Sequence, residues 1–75
     1  MGQNERVLQY MKEHGTITAK EAMDNFGCMR LASRISDIRK MGININREMI
    51  TVKNRYDEDV RVAQYSIGGT YGISD

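Results

Sequence analysis

The sequence predicts a small, mainly helical α+β domain: three helices followed by a β-hairpin. Three observations carry that expectation. Apolar residues recur at helical spacing as far as residue 41, most clearly as Leu31, Ile35 and Ile38, the stripe of a helix with one buried side. After Gly42 the period drops to two, with Ile43 and Ile45 alternating with Asn44 and Asn46, as on a strand. Gly15, Gly27 and Gly42 stand at the joints between these stretches, where helices commonly end.

Taken in order, Asn4 is the expected cap of the first helix, with Glu5 at its positive end. Val7, Leu8 and Met11 line one side, and Gly15 closes the helix after His14. Thr16-Ile17-Thr18 is a short extended piece. Thr18 and Glu21 form a capping-box pair that starts a second helix over residues 19–26, with Ile17 positioned to staple against Ala22. Ala22, Met23 and Phe26 make its expected buried side. Gly27-Cys28-Met29 is a short turn into the third helix, expected over residues 30–41. Residues 50–55 alternate as an outgoing strand, with Ile50 and Val52 on one side. Asp57-Glu58-Asp59 reads as a polar tip, and residues 60–67 return with Ala63, Tyr65 and Ile67 towards the core. The predicted core is Val7, Met11, Phe26, Leu31, Ile35, Ile38 and Tyr65, with Met23 and Met41 as further candidates. Residues 1–67 are expected as the domain and 68–75 as a flexible tail.

Composition narrows the function classes. A chain of 75 residues suffices for one domain. Cys28 is the only cysteine, so no internal disulfide forms, and with His14 alone it is too little for zinc. A reducing cytoplasm is the expected compartment. No apolar run approaches the roughly 20 residues of a membrane span, and residues 1–6 lack the apolar stretch of a secretory leader. No Gly-rich phosphate loop, His-Cys cluster or nucleophile-base-acid set is present. Enzyme activity is therefore not expected, and neither is a cofactor or a metal. Asp57, Glu58 and Asp59 lack the remaining ligands of a calcium loop.

Net charge is only +1, but its distribution is uneven. Acidic and basic residues balance up to Asp24. The middle then carries Arg30, Arg34, Arg39, Lys40, Arg47, Lys53 and Arg55 against Asp37 and Glu48. On a helical wheel, the side of helix three opposite its apolar stripe displays Met29, Arg30, Ser33, Ser36, Asp37 and Lys40, with Arg34 and Arg39 on the flanks. Arginine can bridge guanine O6 and N7 or clamp a phosphate, and a helix fits the major groove. Arg30, Ser33, Arg34, Asp37 and Lys40 are therefore the candidate DNA-binding residues of the helix. Lys53 and Arg55, with Arg61, are those of the hairpin. The same charges also suit a solvated surface. Asp37 is either an acceptor for cytosine N4 or an i, i+3 partner of Arg34 or Lys40. Arg39 lies nearer the core and suits an intradomain carboxylate pair. Met29 projects outward, towards a thymine methyl or a protein partner, and Cys28 points to the apolar side.

This order resembles that of the small winged helix-turn-helix proteins common in bacteriophages and prophages. The resemblance rests on Val7-Leu8-Gln9-Tyr10-Met11-Lys12-Glu13-His14-Gly15 for the opening helix and Ile17-Thr18-Ala19-Lys20-Glu21-Ala22 for the capped second one. Residues 31–42 look like the recognition helix. Val52-Lys53-Asn54-Arg55-Tyr56, returning through Val62-Ala63-Gln64-Tyr65, looks like the wing. The resemblance covers all but the last few residues. It implies a winged helix-turn-helix fold, with double-stranded DNA as the partner and Arg30, Ser33, Arg34 and Asp37 as the reading surface. It implies the role of a phage or prophage transcriptional regulator or recombination accessory factor. The chain departs from the pattern at Met29, where a Thr cap often stands, which predicts a looser start to helix three.

Two functions fit these expectations. One is sequence-specific DNA binding by helix and wing. The other is a protein-interaction module on the same scaffold, which the near-neutral total charge favours. A lone unit covers only a short DNA site, so a homodimer or another protein partner belongs to either reading. Tyr71 and Ile73 offer one candidate contact for it.

Overall fold

The computed structural model describes residues 2–68. The first helix, α1 (Gln3–His14), is capped by Gly2 rather than by Asn4. The Gly2 N–H donates to Glu5 Oε1 at 2.9 Å. That carboxylate, reaching back three residues, sets the start and carries Asn4 inside the first turn. Val7 and Met11 are the buried side of α1.

Strand β1 (Ile17–Thr18) leads directly into α2 (Ala19–Phe26). Both halves of the predicted capping box form: Glu21 N–H donates to Thr18 Oγ1 at 3.3 Å, and Thr18 N–H donates to Glu21 Oε1 at 2.9 Å. Ile17 and Ala22 are both fully buried beside this cap. Helix α2 ends at Gly27, whose φ of 68° is left-handed. Gly27 N–H donates to Met23 O and Cys28 N–H to Ala22 O. A Cβ is strained at that φ, so glycine turns the chain sharply into α3 (Leu31–Lys40) at little cost.

Strands β2 (Ile45–Lys53) and β3 (Asp59–Ile67) form the hairpin, and β3 also pairs with β1. The antiparallel sheet has the order β1-β3-β2, which makes β3 central. Strand β2 is longer than the separate alternating pieces of the sequence suggest, because Arg47, Glu48 and Met49 continue the ladder opposite Tyr65, Gln64 and Ala63. The core comprises Val7, Met11, Ile17, Ala22, Cys28, Leu31, Ile35, Ile38, Ile45 and Tyr65. Helices α1 and α3 pack together, and the sheet closes the cluster.

Three predicted core residues differ. Met23 and Met41 are 44% and 58% exposed. Met23 lies one position round α2 from buried Ala22, and an eight-residue helix buries too narrow a stripe to cover both. Met41 is the C-cap residue of α3, past the stripe that Ile38 ends. Phe26 is half-buried, packed on the core's rim edge-on to Tyr10, with ring centroids 6.2 Å apart.

Gly68 is buried, and its N–H donates to Asn44 O at 2.6 Å. A Cβ there would lie 2.7 Å from Asn44 Cβ, so this close approach requires glycine. The rest of the expected tail, with Tyr71 and Ile73, lies outside the described residues. No helix among the described residues is long and apolar enough to cross a membrane.

Urea unfolding should rank three alanine variants by burial. Ile35→Ala, at a side chain only 1% exposed, should lose about 2–5 kcal/mol. Thr18→Ala should lose about 1 kcal/mol with the cap. Met23→Ala should stay within about 0.5 kcal/mol of the parent. A loss at Met23 equal to that at Ile35 would overturn the packing described.

Candidate nucleic-acid interface

Leu31, Ile35 and Ile38 are 3%, 1% and 0% exposed. Their burial fixes which side of α3 faces out. Arg30 is the N-cap residue, and its side chain makes no capping bond. Only its backbone serves the helix start, its carbonyl accepting from the N–H groups of Ser33 and Arg34 at 3.1 and 3.3 Å. The start of α3 thus has no side-chain cap, and Met29 beside it is 78% exposed. The Arg30 guanidinium is exposed and has no ion-pair partner among the described residues.

One turn further on, Arg34 Nη2 lies 3.3 Å from Asp37 Oδ2. Asp37 thus takes the i, i+3 role. Such a half-exposed pair contributes roughly 0.2–1 kcal/mol, too little to hold Arg34 against a stronger anion. Ser33 is half-buried between these residues, and Lys40 is exposed at the helix C-terminus, where its charge suits the dipole. Arg39 differs from expectation. It has no carboxylate partner among the described residues; its Nη2 donates to Ile45 O at 2.9 Å, tying the end of α3 to the first residue of β2.

The hairpin tip also differs. Asp59 belongs to β3, paired with Lys53 at 2.7 Å, and the turn is formed by residues 54–58. Asn54 organises it. Its Oδ1 accepts from the N–H groups of Tyr56 and Glu58 at 2.9 and 3.0 Å, and its Nδ2 donates to Glu58 Oε1 at 3.0 Å. Asp57 takes a φ of 64°, a conformation that Asp tolerates better than most residues. Arg55 therefore sits on the turn with 72%-exposed Tyr56, beside Asp57 and Glu58, and not on a strand.

The register divides the hairpin into two unlike faces. Ile45/Ile67, Arg47/Tyr65, Met49/Ala63, Thr51/Arg61 and Lys53/Asp59 share the face that begins in the core. Asn46/Ser66, Glu48/Gln64, Ile50/Val62 and Val52/Val60 share the reverse. Ile50 and Val52 thus share a side, as the alternation predicts, and that side is turned away from the core. The structure sets Arg30 at the N-cap of α3, Ser33 and the Arg34–Asp37 pair in its body and Lys40 at its far end, and sets Lys53 and Arg55 apart on the hairpin. Arg47 is the cation that alternation alone leaves unremarked. Its parity with buried Ile45 was the available signal.

A family model described as a winged helix-turn-helix domain matches residues 2–69. The chain belongs to that family. The family points to DNA as the partner. Winged helix-turn-helix domains are typically DNA-binding proteins and not enzymes. No curated protein and no solved structure matches the chain. Among the described residues, no three His, Cys, Asp or Glu side chains gather as a metal site.

The wing turn yields a local expectation. Asn54→Ala removes three side-chain hydrogen bonds at the tip and should cost about 1 kcal/mol, taking roughly that for the net loss on an exposed turn. Amide exchange should speed up at Tyr56 and Glu58 while Ile35 and Ile38 keep their protection. Unchanged exchange at both tip amides would show that Asn54 does not hold the turn.

Proposed function

We propose that this domain binds double-stranded DNA by laying α3 in the major groove, with the wing on the neighbouring backbone. The observation that carries this reading is the state of Arg30. It is an exposed arginine at the N-terminal end of the family's recognition helix, whose side chain makes no capping bond and has no ion-pair partner among the described residues. Residues at that end of such a helix are the ones that meet base edges. Arg30 and Ser33 are the first readers. Arg34, steadied by Asp37, is the second, able to release Asp37 for guanine or phosphate. Lys40 adds backbone affinity, and Lys53 and Arg55 are the wing's contacts from the sequence. The setting we propose, from the resemblance to phage and prophage proteins, is a transcriptional regulator or recombination accessory factor working in the cytoplasm.

A second reading has one observation in its favour. Ile50, Val52, Val60 and Val62 form an apolar strip on the reverse of the wing, and with residues 18–21 and Asp24 they line an open groove. A protein-interaction module would use such a surface.

Selection from random duplex DNA supplies a preferred site. Arg30→Ala and Arg34→Ala are then compared on that site and on a scrambled one at two salt concentrations. A base-reading arginine should lose roughly 1–3 kcal/mol of discrimination; a phosphate clamp should weaken both duplexes alike. At least one of the pair is expected to read. Asp37→Ala removes a negative charge and frees Arg34, so binding to the scrambled duplex should strengthen while preference falls. Absence of wild-type binding to either duplex at low salt would reject the DNA reading and leave the protein-interaction one.

A further inference from the structure

The wing has one cationic face, and it is the face that continues the core towards α3. Ile45 and Tyr65 mark it as the inner face, since both are buried. Arg39 fastens the C-terminal end of α3 to Ile45 O, so that end of the helix sits at the start of β2. Two residues further along β2 on that same face stands Arg47, opposite Tyr65; next come Met49 with Ala63, then Thr51 with Arg61. Arg47 and Arg61 are exposed and have no ion-pair partner among the described residues. Lys53 closes the row but is held by Asp59 at 2.7 Å. The tip beyond carries Arg55 next to Asp57 and Glu58, so its positive charge is offset locally. The reverse face carries Glu48 and the apolar strip.

We infer that the wing grips DNA flat, through Arg47 and Arg61 on its helix-side face, and not chiefly through its tip. The inference rests on the DNA-binding reading above and specifies which surface of the wing serves it. Residue 61 lies four positions from Tyr65, which is level with Arg47, so the two arginines stand about 13 Å apart along the strands. That separation lets each meet its own phosphate on one strand of backbone, beside the groove that α3 occupies. Neither side chain must break an ion pair to do so, whereas Lys53 must leave Asp59. Phosphate contacts of this kind fix position and add affinity without sequence preference. The acidic tip is repelled by the backbone, which favours a wing lying along the duplex over one pressed point-first into it.

The test uses the full chain and a mixed-sequence duplex, titrated over a range of salt. Arg47→Gln and Arg61→Gln keep a polar side chain, and thermal melts confirm that each variant folds as the parent does. Each should lower the salt slope by about 0.9, which corresponds to about an eightfold loss of affinity at 0.1 M salt relative to a 1 M reference. The double variant should lose close to the sum of the two slopes, the loss should be equal on the selected and scrambled duplexes, and Arg55→Gln should lower the slope by less than either Arg47→Gln or Arg61→Gln. Parental slopes for both Arg47→Gln and Arg61→Gln, with wild-type protein binding normally, would overturn this inference alone. A loss confined to Arg55→Gln would do the same and assign the contact to the tip. Failure of the wild-type chain to bind the duplex at low salt would reject the DNA reading together with it.

Discussion

The inward stripe of α3 is the constraint on which the rest of the molecule depends. Leu31, Ile35 and Ile38 pack into the cluster that also holds Val7, Met11, Ile17 and Tyr65. With those three buried, the remaining positions of α3 have no freedom of orientation. Ser33 and Asp37 lie off the buried side because the helical repeat places them there, and Arg30 is exposed at the N-cap just before the helix begins. The hydrophobic effect thus sets the geometry of the polar surface. It does so at a point where no polar side chain helps start the helix, since Arg30 caps with backbone alone. The stability of α3 rests on tertiary packing more than on its own ends, as expected for a ten-residue helix.

The sheet converts that packed helix into a two-part surface. Because β3 pairs on both sides, it joins β1, and through it the start of α2, to β2, and through it the end of α3. The helix-turn-helix and the wing are therefore parts of one cluster and not separate bodies. Beyond the core the hairpin continues as two strands only. A two-stranded ribbon gains little from its own burial, which is why the Asn54 network and the Lys53–Asp59 pair at its end matter to its shape.

Much of this was legible in the sequence, and the exceptions have physical causes. The Thr18–Glu21 box, the Gly27 joint and the stripe of α3 are local signals, and each appears where the residues place it. Asn4 misled because two residues compete for a cap, and the reach of Glu5 decides between them. Met23 and Met41 misled because hydrophobicity says nothing of how wide a stripe the neighbours can cover. The tip misled because Lys53–Asp59 is a cross-strand contact, visible only once the register is known. The outward side of α3 followed from periodicity. The split of the wing into a cationic and an apolar face did not, because it depends on the register of β2 against β3, which the alternation within each strand does not give.

Strand β2 lies at the edge of the sheet, with one side of its ladder unpaired over nine residues among those described. Met49-Ile50-Thr51-Val52 is an uncharged stretch on that edge, bounded by Arg47 and Glu48 on one side and Lys53 on the other. Charges so placed act as gatekeepers, since a second strand arriving in register would have to bury or oppose them. Arg47 therefore answers to two demands at once: attraction to an anion across the inner face, and deterrence of its own kind along the edge. A neutral residue at this position would weaken both at once, so resistance to edge pairing is coupled to the charge pattern at a residue that lies exposed outside the core.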